Sequence, residues 1–360
     1  MMKSYLLGID IGTSACKVAV FDRNGKVLAA ASGDYPVYYP HEGWAEQNPE
    51  EWWDAVCRAT KETIQKADIT ADEIAGIGID GQSWSAIPID REGNVLANTP
   101  IWMDTRAQSI CDRLNQEIGQ EEIFEVAGNS LQPSYSTAKI LWYKENLPEV
   151  YAKIYKILQS NSYIAFKLTG AVTQDVSQGY GLHCFNMKKG CWDEKMCKRL
   201  GIPMEFLPEI CDCDHVVGTV TGKAAAECGL VEGTPVVAGG LDAACGTLGA
   251  GVIHSGETQE QGGQAGGMSI CTEEYKADPR LILSYHVVPG KWLLQGGTTG
   301  GGGVMRWFER EFADYERMMK EQTGVSSLDQ LNKIAEKVGP GCEGMVFLPY
   351  MSGELSPIWN

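Results

Sequence analysis

The N-terminal third of the chain alternates short apolar runs with polar turns. Residues 5–9 are an apolar run of strand length ending on Asp10. Ile11-Gly12-Thr13-Ser14 then supplies a turn with one glycine and two hydroxyls, residues 16–21 return as a strand, and Asp22-Arg23-Asn24-Gly25 turns again. The pattern predicts a β-hairpin with a small polar tip, followed by a third antiparallel strand over 26–31. After a loop rich in Tyr, Pro and Gly, Asn48 and Pro49 open a helix, and Glu51 is placed to complete a reciprocal cap. Trp52, Ala55, Val56, Ala59, Thr63 and Ile64 give that helix one apolar face. Residues 74–79 read as a buried strand running into Asp80-Gly81-Gln82-Ser83-Trp84, and 87–89 with 95–97 read as a hairpin around 91–94. The resulting β-β-β-α-β order mixes antiparallel and parallel elements, which is not the alternation of a Rossmann domain.

From 107 to 215 the period becomes helical. Segments 107–116 and 137–145 are amphipathic, and 150–168 reads as one longer helix closing on Gly170. Residues 171–195, polar and aromatic, suggest an insertion packed over a cleft. The short apolar strand 236–238 empties into Gly239-Gly240-Leu241-Asp242. A second unit follows: 256–261, the glycine run 262–267 and the strand 268–271, a degenerate echo of the first hairpin. Two such halves facing each other would enclose a small-molecule cleft. A further glycine-rich segment, 295–303, precedes an amphipathic helix over 304–312 with Trp307 and Phe308, an arrangement that makes an anion site at the helix N-terminus. Neither a P-loop nor a dinucleotide fingerprint occurs.

Composition narrows the partners. A chain of 360 residues suggests two domains or one large one. The net charge of −17 argues against nucleic acid and anionic membrane surfaces as partners, and no apolar run reaches spanning length. The twelve cysteines lack metal-ligand spacing and point to reduced thiols in a cytoplasmic compartment. The tip of the first hairpin could aim N–H groups and hydroxyls at an anion while Asp10 holds a divalent metal; an ordinary surface hairpin is the alternative.

Seven ordered segments carry a resemblance: LLGIDIGTSACKVAVFD, GWAEQNPEEWW, GIGIDGQSW, IWMDTRA, SYIAFKLTG, PVVAGGLDAACGTLGAG and GGTTGGGGVMRWF. Together the chain resembles the FGGY family of carbohydrate kinases, and within it the xylulose kinases. The resemblance implies an α/β, actin-like (ribonuclease H-like) ATPase fold with the active site between two domains, 1–245 and 246–360. It implies ATP-dependent phosphorylation of a sugar hydroxyl, D-xylulose to D-xylulose 5-phosphate. Kinases for another ketose or polyol, such as ribulose or glycerol, are the alternative within enzymes, and a non-catalytic sugar- or nucleotide-binding relative is the alternative outside them. By position, Asp242 matches the catalytic base, although it also suits a helix N-cap; Asp10 matches the Mg²⁺-orienting residue. Gly12, Thr13, Ser14, Lys17, Gly263, Gln264 and Gly302 match nucleotide contacts. Gln82, Ser83, Trp84, Trp102, Asp104 and Arg106 match sugar contacts. A sugar and ATP are the implied partners, and a homodimer is kept open.

The chain departs from the family pattern in three places. Gly81-Gln82-Ser83-Trp84 stands where xylulose kinases read Gly-Gln-Met-His, and Gly263-Gln264-Ala265-Gly266 replaces a Gly-Thr-Ser-like loop. The family pattern also continues past the segment that ends here at Asn360, so the second domain is expected to be incomplete.

Overall fold

The computed structural model describes residues 4–262, 266–298, 300–351, 354 and 356. Strand β1 (Tyr5–Ile11) buries Leu7, Ile9 and Ile11 on one face, and β2 (Ala15–Phe21) pairs with it antiparallel from Ile11 opposite Cys16. Strand β3 (Val27–Asp34) continues the meander. Helix α1 (Pro49–Ala67) covers the face these strands bury, with Trp52, Ala55, Val56, Ala59 and Thr63 inward. It approaches closely at Gly33, where an added Cβ would lie 3.0 Å from Ala55. The Asn48 side chain caps α1 by accepting the Glu50 N–H. The reciprocal half of the expected cap does not form, because the Glu51 carboxylate accepts the Tyr38 hydroxyl at 2.7 Å.

Strand β4 (Ile74–Gly81) lies parallel to β1 and brings Asp80 opposite Asp10. The expected hairpin at 87–97 reduces to one bridge between Ile89 and Val95. Its first strand, β5 (Ile87–Ile89), pairs along its length with a distant partner instead. Helices α2 (Gln108–Glu117) and α3 (Ser136–Asn146) follow. The single helix expected over 150–168 is in fact three elements: α4 (Pro148–Tyr151), strand β6 (Lys156–Leu158) and α5 (Ser160–Thr169), closed by Gly170 at φ 79°. Strand β6 is the partner of β5, so Ile157 and Leu158 are apolar for sheet packing, and cross-strand pairing overrides their helical spacing.

Strands β7 (Val216–Thr219), β8 (Pro235–Val237) and β9 (Gly240–Leu241) complete the first sheet, and helix α6 (Asp242–Gly249) starts directly from β9. Among the described residues its order is β7-β8-β4-β1-β2-β3, with β9 also on β4. A second, antiparallel sheet is built from β10 (Thr258–Gly262), β11 (Gly266–Thr272), β12 (Ile282–Tyr285) and β13 (Trp292–Thr298), ordered β10-β11-β13-β12. Half of the glycine-rich segment expected to be an anion loop is therefore strand; only its end opens helix α7 (Gly302–Phe312). Trp84, Tyr135, Tyr180, Phe185 and Leu241 pack with Leu283 and Leu293 and so join the second sheet to the rest. At its β12 edge the Asn129 amide pairs with the Leu283 backbone in both directions, each bond 2.9 Å. Among the described residues no helix is long and apolar enough to cross a membrane.

Candidate active site

A cavity of about 290 Å³ opens where the ends of β1 and β4 meet the second sheet. Thr13, Gln82, Ser83, Trp84, Trp102 and Asp242 line one wall; Gln261, Met268, Ser269, Ile282 and Gln295 with four glycines line the other.

Asp242 reaches this cleft through a turn that only glycine permits. Gly239 has φ 74°, and a Cβ there would lie 1.7 Å from the Ile79 carbonyl oxygen. The close approach lays β9 on β4 and starts α6 at Asp242, with Leu241 as the capping residue, so Asp242 is the first helical residue and not its cap. Its carboxylate accepts its neighbour Ala243's N–H at 2.6 Å. Burial pushes Asp242 up to about 7, and the Asp10 charge adds to this; the Ala243 N–H and Lys17 oppose it.

Asp10, at the end of β1, faces Lys17 across β2, with Nζ 2.9 Å from Oδ2. On its other side is Asp80, which burial first, then the charges of Asp10 and Asp242, push up to about 9. Asp80 was not singled out by the sequence reading. The signal was present: Gly8-Ile9-Asp10 and Gly78-Ile79-Asp80 are the same tripeptide on two parallel strands in register. Among the described residues no group of three His, Cys, Asp or Glu is arranged to hold a metal. The charge of Asp10 raises the proton affinity of both Asp80 and Asp242, and such a crowding of carboxylates suits a cation that draws its remaining ligands from water and phosphate, as Mg²⁺ does.

At the hairpin tip the Gly12 N–H bonds to the Ala15 carbonyl, and the Gly12 carbonyl accepts the Tyr35 hydroxyl at 2.6 Å. Thr13 faces the cleft and its Oγ1 accepts the Trp102 indole N–H at 2.9 Å. Ser14 and Lys17 are exposed and lie outside the cavity wall. Gly302 lines an adjoining cavity of about 620 Å³ together with Gly266, Gly267, Gly296, Gly297 and Gly301. Gly263 and Gln264 lie outside the described residues.

On the same wall as Thr13, Gln82 is buried. Its Nε2 donates to Gln47 Oε1 at 2.8 Å, while its own Oε1 has no protein partner. Ser83 Oγ accepts the Tyr180 hydroxyl. Trp84 adopts φ 62°, a costly conformation for an aromatic residue, and stacks on Tyr135 with ring centroids 4.1 Å apart. Its carbonyl accepts the ammonium of Lys139, which also donates to the carbonyls of Ile101 and Ser134. Lys139 is fully buried and was not expected; a lysine inside an amphipathic helix ordinarily reads as its solvent face.

Asp104 and Arg106 do not reach the cleft. The guanidinium lies 3.9 Å above the Trp44 ring and pairs with Glu46 and Asp104, and Asp104 also accepts the Ala45 N–H. Both side chains are almost wholly enclosed, and the expected sugar contacts at these positions are replaced by a brace between the 44–47 and 101–106 segments. The carboxylate and the Nε and Nη2 groups of the guanidinium are thereby committed to this buried pair.

Comparison with known proteins agrees with this architecture. Residues 5–249 match the family described as the FGGY family of carbohydrate kinases, N-terminal domain. The chain is 32% identical to a xylulose kinase of Bacillus subtilis (strain 168), over 98% of this chain and 69% of the relative. It is 31% identical to a gluconokinase of the same organism, over 100% of this chain and 70% of the relative. The crystal structure of ligand-bound xylulose kinase from Lactobacillus acidophilus superposes with a TM-score of 0.87 at 29% identity, covering 99% of this chain and 70% of that one. The fold is accordingly that of the actin-like sugar kinases, and the chain belongs to the FGGY family of carbohydrate kinases.

Proposed function

We propose that the protein phosphorylates a neutral ketose, D-xylulose being the best fit, with ATP as donor and Asp242 as general base. The observation that carries the choice of sugar is the cleft wall. It presents indoles, amides and hydroxyls beside Asp242, and among the described residues it contains no cationic side chain. The carboxylate of an aldonic acid would enter this cleft with no cationic side chain on its wall to pair with, although a gluconokinase is nearly as similar in sequence as a xylulose kinase. A neutral sugar instead offers hydroxyl hydrogens to the vacant Gln82 Oε1 and C–H faces to Trp84 and Trp102.

In this reading residues 1–245 bind the sugar and residues 246–360 contribute to the nucleotide side. The glycine-lined cavity ending at Gly302 takes ATP phosphates, because its walls let the phosphates approach backbone N–H groups closely. Asp10 would orient Mg²⁺, which when bound would offset the charge of the phosphates. The sugar O–H donates to Asp242; as its oxygen bonds to the γ-phosphorus, the proton passes to the carboxylate and the bridging oxygen leaves with its electrons on ADP.

The test is sugar-dependent ADP release over xylulose, ribulose, glycerol and gluconate. A kcat/KM highest for xylulose supports the reading. A preference for gluconate refutes it.

A further inference from the structure

We propose that Asp175 and Ser177 are positioning residues for phosphoryl transfer, holding the backbone immediately before Asp242 so that its carboxylate is aimed into the cleft. The inference deepens the reading above and rests on Asp242 being the base. Asp175 is 1% exposed, and among the described residues the structure gives it no cationic partner. It is satisfied by donors alone. Its Oδ1 accepts the Ser177 hydroxyl at 2.5 Å and the Gln178 N–H at 2.9 Å. Its Oδ2 accepts the side-chain amides of Asn161 and Gln174, at 2.9 and 3.1 Å.

The direction of the chain of bonds is dictated by valence. Ser177 has one hydroxyl hydrogen, and a carboxylate can only accept it, so the Ser177 oxygen keeps its lone pairs for an N–H. That N–H belongs to Leu241, at 2.9 Å, the residue joined to Asp242. A hydroxyl polarised by an anion is a stronger acceptor than a free one, so the carboxylate strengthens the second bond. A Cβ on Gly240 would sit 2.8 Å from the Ser177 oxygen, so the approach needs glycine there. The same cluster grips the turn again three residues earlier, where Asn161 also donates to the Ala238 carbonyl at 3.1 Å. Gln178, anchored on Asp175, donates through its side chain to the Gly81 carbonyl at 3.0 Å, next to the sugar-facing Gln82.

A wholly apolar filling would be a cheaper way to pack this region, since a buried carboxylate without a cation must recover its lost hydration from hydrogen bonds. What the carboxylate adds is direction: it orders a segment that a glycine-rich turn would otherwise leave with many conformations. Misplacement of a reacting group by about 1 Å costs on the order of a hundredfold in rate.

The experiment compares Ser177→Ala, Ser177→Thr, Asp175→Asn and Asp242→Asn in the full chain, with kcat, sugar KM, far-UV circular dichroism and the pH profile of kcat/KM as readouts. Ser177→Ala removes the acceptor of the Leu241 N–H and is expected to lower kcat by roughly 10- to 100-fold while sugar KM stays within about threefold. The midpoint of the pH profile stays in place and its plateau falls, because the base is misaimed but chemically unchanged. Ser177→Thr keeps the hydroxyl and is expected to recover most of kcat. Asp175→Asn turns an N–H₂ toward the Asn161 or Gln174 donors, or toward Ser177, and should show the same kcat-selective loss should the alanine variant fold poorly. Unchanged kcat in both Ser177→Ala and Asp175→Asn overturns the proposal. So does a loss that moves kcat and KM together and that Ser177→Thr does not restore. Asp242→Asn separates the two claims: if it is inactive while Ser177→Ala is normal, only the positioning role fails; if it retains near-normal kcat, the base assignment itself fails.

Discussion

Replacing Lys139 by Met keeps a stem of similar length but deletes three N–H donors from a fully buried position. The carbonyls they serve belong to Trp84, Ile101 and Ser134, on three separate segments. Ile101 also receives the Asp104 N–H, so its oxygen stays satisfied. The oxygens of Trp84 and Ser134 lose the donor. An unsatisfied buried carbonyl costs roughly 1–3 kcal/mol, which applies in full at Trp84, while the part-buried Ser134 oxygen adds less, so the gross loss is about 1–4 kcal/mol. Against this, burial of the ammonium is itself unfavourable and pushes Lys139 down to about 7, with Asp104 opposing the shift. Between pH 7 and the usual lysine range the unfolded chain holds a proton that the folded chain has released, so this residue's contribution to stability rises with pH by up to about 1.4 kcal/mol per unit. At pH 8 the side chain is mostly a neutral amine, whose two N–H groups still suffice for Trp84 and Ser134, so Lys139→Met should be destabilising there by about 1–4 kcal/mol and less so at pH 6. Urea unfolding followed by tryptophan fluorescence and circular dichroism at both pH values is the assay. Loss of the anchor should also raise sugar KM, since the strained Trp84 backbone is no longer held. A variant within about 0.5 kcal/mol of the parent at both pH values would refute the reasoning, because it would mean that the three bonds merely offset the cost of burying the ammonium.

Asp242→Asn keeps size but cannot take a proton, so kcat should fall by roughly 10²- to 10⁴-fold with sugar affinity retained; steady-state kinetics beside calorimetric sugar binding decides this. With Asp242 pushed up to about 7, kcat/KM should rise with pH and level off above neutrality, and a profile flat from pH 5 to 9 would show that its ionisation does not limit the reaction. Asp80, held up at about 9, binds a proton in the folded state across a range where the unfolded chain has lost it, so its contribution to stability falls as pH rises from 4 to 9. Asp80→Asn should remove that burden and raise the urea midpoint at pH 8, by an amount corresponding to about 1–3 kcal/mol, with little change near pH 4. Trp84→His should alter relative kcat/KM among ketoses; unchanged ratios across the panel would mean that this position does not read the sugar.

The strands and α1 were legible because their burial is one-sided and local, and the glycines flanking Asp242 pointed to a special turn. What escaped the sequence depends on pairing across distance. Residues 156–158 keep a helical period, yet become strand because they pair with β5 over all three of its residues, a partner nearly seventy positions earlier in the chain. Asp104 and Arg106 lie beside Trp102 in the chain, but spacing along a loop does not say which side chains turn toward a cleft and which toward Glu46. Lys139 gave no sign of burial because two of the carbonyls it serves, those of Trp84 and Ile101, lie far away in sequence, and the spacing around Asp175 does not show that a carboxylate there gathers Ser177, Gln178 and Gln174 as well as the more distant Asn161. Asp80 was legible in principle, as the twin of Asp10, but only once the two strands are known to be parallel and in register.

The double hydrogen bond between Asn129 and Leu283 bears on self-association. A terminal strand exposes a row of N–H and C=O groups that another chain can extend, and a single amide side chain here occupies both groups of one residue on β12 just as a neighbouring strand would. Extension of the second sheet is thereby obstructed on that side. The opposite boundary, β10, carries Glu260 between two glutamines, so a second copy approaching in register would bring like charges together. Among the described residues, both borders of this sheet therefore disfavour edge-to-edge pairing, one by occupation and the other by charge.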